Sequence, residues 1–125
     1  MEHEPTKGLY GWITHTEFAA TDPEALRNWC EKVLGWQFMP SFATPNGDYH
    51  LFAYSNQGGG GIRKAGAEET PGVLPFVHVE NTQEAFDAAI QEGAEAVVGP
   101  ERVMAGVTTA IVRAPGGVLI GFSGP

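Results

Sequence analysis

Hydrophobic and polar positions along this chain change period twice, in the same order each time. From Trp12 to Phe18 they alternate, so Ile13, His15 and Glu17 share one face of a strand and Trp12, Thr14, Thr16 and Phe18 the other. After Asp22 the period becomes helical: Leu26, Trp29, Cys30, Val33 and Leu34 recur as one apolar stripe. That stripe predicts a helix with Trp29 in its core contact, and with Trp12 and Phe18 packed against it. Asp22 is placed to cap it, Pro23 suits its first position, Glu24 complements its dipole and Gly35 closes it. Strand-like runs over residues 36–43 and 48–54 follow, joined by Thr44-Pro45-Asn46-Gly47, where Asn-Gly favours a hairpin. A run of glycines from Gly58 to Gly61 then leads into Ile62-Arg63. Glycine within a strand predicts a bulge or a close backbone approach, to a ligand or to another chain.

The second half repeats the order. Residues 73–79 alternate, with Leu74, Phe76 and His78 opposite Val73, Pro75 and Val77. Asn81 opens a helix whose apolar stripe is Phe86, Ala89 and Ile90, and Gly93 ends it. Strands are predicted over residues 96–98, 107–114 and 118–122, the last two joined by Pro115-Gly116-Gly117. Glu24-Ala25-Leu26 aligns with Glu84-Ala85-Phe86 sixty positions on. The expected architecture is α+β: one domain over residues 1–125, made of two βαβββ modules at residues 9–64 and 73–123. Between such modules lies a cleft, where function is to be sought.

Composition narrows the function. The 125 residues are 42% hydrophobic and 18% charged, the balance of an ordinary globular domain. The net charge of −8 repels phosphate backbones, so nucleic acid is not an expected partner. A single cysteine, Cys30, excludes an internal disulfide, and its place in the helical stripe makes it a packed thiol. Met1–Gly8 lacks the basic and apolar regions of a signal peptide, and no apolar run approaches the ~20 residues that span a bilayer. A cytoplasmic protein that does not associate with membranes is expected. Four glycines resemble a phosphate loop only on the surface, because no helix start or Lys-Ser/Thr follows. No Ser-His-Asp order, metal-cysteine spacing or dinucleotide fingerprint is present, so no cofactor is expected.

The pattern His15-x6-Asp22-Pro23-x5-Trp29-x4-Leu34-Gly35-Trp36, with Ala114-Pro115-Gly116-Gly117 before the last strand, resembles the vicinal oxygen chelate superfamily. That superfamily includes glyoxalase I, bleomycin-resistance proteins and extradiol dioxygenases. Trp29 stands where the family often has Phe-Tyr, and Ala114 replaces its usual Asp. The resemblance implies paired βαβββ modules around a cleft and a homodimer. It also implies metal ligands on the first and last strands of both modules, which fall here at His15, at Gly61 or Ile62, at Leu74 and at Gly121. Only His15 among these offers a donor, whereas a divalent metal takes three or four protein ligands. The resemblance therefore implies a metal-independent protein that binds a small organic molecule.

His15 is the candidate catalytic residue, as a base or a hydrogen-bond partner. His15, Glu17, Arg63, Phe76 and His78 are the candidate ligand-binding residues, with Arg63 able to meet a carboxylate. Two alternatives stay open. One is a lyase or isomerase related to glyoxalase I, using His15 as base or a displaced metal site built from Glu17, His50 and His78. The other is a protein that sequesters a drug of bleomycin type.

Overall fold

The computed structural model describes residues 4–125, which form two compact units: residues 15–73, and residues 4–14 together with 74–125. The fold is α+β.

The unit of residues 15–73 begins within β1 (Ile13–Ala20) and continues through α1 (Pro23–Trp29), β2 (Gln37–Phe38), β3 (Phe42–Thr44), β4 (Gly47–Ala53) and β5 (Gly59–Lys64). Its strands lie in the order β2-β4-β5-β1, with β3 on β4. β5 runs parallel to β1 and antiparallel to β4. The Asp22 carboxylate accepts the Ala25 amide at 3.1 Å and Pro23 opens the helix, as the cap residues predict. Ala20, Phe52 and Ile62 form the core, with Phe18, Leu26, Trp36 and Phe38 packed on it. Trp36 stacks on Phe52 with centroids 4.3 Å apart.

Two expectations are corrected in this unit. The helical stripe does not stay on one face, because after Trp29 the chain widens into a π-helical turn, Cys30–Leu34, before Gly35 closes it at φ 70°. The wider turn carries Val33 and Leu34 away from the core. Cys30 is buried, while Trp29 is 53% and Val33 58% exposed. Trp29 is thus a surface residue; so is Trp12, which belongs to the other unit and is 55% exposed. The single strand expected over residues 36–43 is broken between β2 and β3 at Met39-Pro40-Ser41, where Pro40 has no amide to donate.

The second unit contains β6 (Gly72–His78) from Leu74 on, α2 (Thr82–Gln91), β7 (Glu95–Met104), β8 (Val107–Arg113) and β9 (Leu119–Gly124). Its order is β6-β9-β8-β7, with β6 and β9 parallel and the other neighbours antiparallel. In both units, therefore, the first strand pairs in parallel with the last, the geometry that a βαβββ repeat requires. Asn81 accepts the Glu84 amide at 2.9 Å, matching the Asp22 cap. Thr82 is fully buried and its hydroxyl donates to the Thr108 carbonyl, fastening α2 to β8. The segment before β1 joins β6, Gly11 N–H donating to the His78 carbonyl and His78 N–H to that of Trp12. β7 is ten residues long rather than three, and its pairing with β8 shifts register at three places. Such bulges let an edge strand continue past Gly99 and Pro100.

Candidate functional site

Register places the chemistry of the first unit. Pairing of Glu17 with Gly61 and of Leu51 with Gly61 puts these residues on one face of the sheet. Alternation adds His15, Tyr49 and Arg63 to that face. Pairing of Phe18 and His50 with Ile62 puts those three on the other face, in the core beneath α1.

The glycine run is explained by close packing within this sheet. A Cβ on Gly59 would overlap the Phe52 carbonyl, one on Gly60 the Thr16 carbonyl, and one on Gly61 the Tyr49 ring. Tyr49 therefore lies flat over Gly61, and only glycine admits it.

From that position Tyr49 links the ionisable groups. Its hydroxyl donates to Glu17 Oε2 at 3.0 Å and lies 3.0 Å from His15 Nε2. The hydroxyl has one proton and a carboxylate only accepts, so His15 Nε2 is the donor to the Tyr49 oxygen. In the neutral imidazole the lone pair then sits on Nδ1. Glu17 Oε1 accepts Arg63 Nε at 2.9 Å. The outer edge of Arg63 forks onto Glu69, Nη1 to Oε1 at 2.7 Å and Nη2 to Oε2 at 2.6 Å. Burial lowers the pKa of His15 below its ordinary 6.5, against the opposing pull of the Glu17 charge. Burial also raises that of Tyr49, and Glu17 raises it further. The Arg63 hydrogen bond holds Glu69 down at about 2. At neutral pH a neutral histidine and a neutral phenol thus stand beside the Arg63–Glu69 ion pair.

Three of the sequence-derived candidates, His15, Glu17 and Arg63, lie in this one network. Tyr49 and Glu69, which complete it, were not among them. Phe76 and His78 belong to the other unit: Phe76 is buried against Gly121, and His78 is buried and stacked on Tyr10 at 5.4 Å. His50 is buried on the opposite face from Glu17, with its Nδ1 hydrogen-bonded to Ser41 Oγ. That placement overturns the displaced metal site of Glu17, His50 and His78. Among the described residues no three His, Cys, Asp or Glu side chains are grouped to hold a metal ion.

The sequence model of the Glyoxalase/Bleomycin resistance protein/Dioxygenase superfamily matches residues 12–122. The chain belongs to this superfamily. Solved structures share the fold at low identity. A hypothetical protein from Bacillus halodurans is 14% identical with a TM-score of 0.74, covering 90% of this chain and 92% of its own. Methylmalonyl-CoA epimerase from Mycobacterium tuberculosis is 16% identical with a TM-score of 0.73, covering 98% and 95%. A variant of 4-hydroxymandelate synthase from Streptomyces coelicolor is 16% identical with a TM-score of 0.73, covering 90% of this chain and 38% of that one. No protein of curated function matches by sequence.

In this superfamily member the register decides between Gly61 and Ile62. Gly61 shares the face of His15, and Ile62 is fully buried in the core. The positions at which the resemblance implies metal ligands are then His15 and Gly61 in one unit and Leu74 and Gly121 in the other. The Tyr49 ring covers Gly61, and a Cβ on Gly121 would come within 2.5 Å of the Phe76 ring. Leu74 is buried and apolar. In each unit an aromatic ring fills the space that a longer side chain at the glycine would need, and none of Gly61, Leu74 and Gly121 offers a side-chain donor.

Proposed function

We propose that this superfamily member binds a small organic molecule without a metal, against the face formed by His15, Tyr49, Glu17 and Arg63. The observation that carries this reading is the Tyr49 ring lying over Gly61. It takes the place of a ligand side chain and engages His15 Nε2 in a hydrogen bond. The face that remains offers an aromatic surface, a neutral imidazole and a fixed guanidinium, which suit a molecule with both apolar and polar parts. Elemental analysis followed by nickel, zinc and manganese titrations tests the reading. Protein that ignores all three metals supports it; one tightly held metal per chain, lost on His15→Ala, overturns it.

Two observations favour a second reading, an isomerase or epimerase with His15 as base. Burial keeps His15 unprotonated near neutrality, the state a base needs, and methylmalonyl-CoA epimerases are among the structures that share the fold. Incubation with methylmalonyl-CoA in deuterated water tests it. Deuterium at the carbon between the two carbonyl groups, abolished by His15→Ala, would establish the activity; no exchange would remove that substrate.

A further inference from the structure

Arg63 is held on one side by a glutamate of the sheet and on the other by a glutamate of an irregular segment. Its Nε is fixed by Glu17, which is itself held by Tyr49, both on strands of the sheet. Its outer edge is taken by Glu69, which comes from residues 65–71, a segment in neither helix nor strand between β5 and β6. Residues 66–70 are exposed throughout, and Glu69 closes a turn there, its Oε1 accepting the Gly66 amide and its own amide donating to the Gly66 carbonyl. The contact with Arg63 is the parallel two-bond fork by which a guanidinium recognises a carboxylate.

We propose that Glu69 occupies, from within the chain, a binding site for the carboxylate of the small-molecule ligand on the outer edge of Arg63. The inference rests on the reading of this face as a ligand site. Exchange of one carboxylate for another leaves the charge around Arg63 unchanged, so no new desolvated charge is created. Glu17 and Tyr49 keep the guanidinium in place while the occupant changes, so the site is ready-made for an incoming acid. Glu69 competes as a tethered group at high effective concentration, so a carboxylate ligand must gain further contacts to displace it. The ligand class is an organic acid whose apolar part lies against the sheet face.

The test is a titration of benzoate and of its neutral analogue benzamide into the wild type, Glu69→Ala and Glu69→Gln. It is followed through the Arg63 Nε–H and Gly61 amide signals by NMR. Benzoate is expected to bind both variants at least about tenfold more tightly than the wild type, because the tethered competitor is gone. The gain should shrink with added salt, and benzamide should show none. Glu69→Gln keeps the side-chain length and guards against collapse of the turn in Glu69→Ala. Equal benzoate affinity in all three proteins, or an equal gain for benzamide, overturns the proposal. If neutral molecules bind this face while carboxylates gain nothing, the carboxylate site falls and the binding function stands. If neither probe perturbs this face in any of the three proteins, both fall.

Discussion

Tyr49 has one proton and two neighbours at its oxygen, and this makes His15 Nε2 a donor and Glu17 an acceptor. Removing the hydroxyl in Tyr49→Phe leaves His15 Nε2 and Glu17 Oε2 without it. The expected loss is about 1–3 kcal/mol, read from urea denaturation. Gly61→Ala places a methyl group inside the Tyr49 ring and forces the ring off the sheet, at a similar cost of about 1–3 kcal/mol. The histidine adds a pH dependence. Its folded pKa lies below the ordinary 6.5, so on acidification the unfolded chain takes up the proton first. Stability present above pH 6.5 is therefore lost as pH falls through the folded value. An NMR titration of the His15 ring should show a midpoint below 6.5, and His15→Gln should flatten the stability profile in that window. A midpoint at or above 6.5 would mean that His15 is not desolvated as described. His15 and Glu17 are visible in the sequence as polar groups on one face of a strand. Tyr49 is not, because in β4 it reads as one more aromatic position until strand order sets it beside Gly61.

The caps are the most local features among the elements, and both were legible. Asp22 and Asn81 each satisfy an amide three residues on. Asp22→Ala and Asn81→Ala should each cost about 0.5–2 kcal/mol in chemical denaturation. Loss from one alone would break the equivalence of the two helix starts. The apolar stripe of the first helix was less informative. Helical spacing said that Leu26, Trp29, Cys30, Val33 and Leu34 share a face, but spacing assumes 3.6 residues per turn throughout. The π-helical turn breaks that assumption from Cys30 on, where Val33 and Leu34 are exposed, and Trp29, still within α1, is exposed as well. The glycine run showed the opposite balance. Its composition announced a close backbone approach, and the structure supplied the partners: the Phe52 and Thr16 carbonyls and the Tyr49 ring.

At the scale of the whole molecule, the superfamily topology is kept while aromatic rings cover Gly61 in one unit and Gly121 in the other. Restoring one carboxylate should not restore a metal site. Gly121→Glu drives its side chain into Phe76 and should lower stability by about 1–3 kcal/mol with no gain in zinc affinity by calorimetric titration. Tight zinc binding by that variant would show that the ring yields and that the ligand positions are still usable. The chain by itself determined most strands and both helix starts, because these are written in periods of two and 3.6 and in capping residues only a few positions apart; the superfamily came from the resemblance of the His15-to-Trp36 pattern. Tertiary structure alone decided that His50 faces away from Glu17, that Tyr49 joins His15 to Glu17, and that Glu69 meets Arg63. Those contacts depend on strand order, on register and on the path of an irregular segment, and no local period along the chain encodes any of the three.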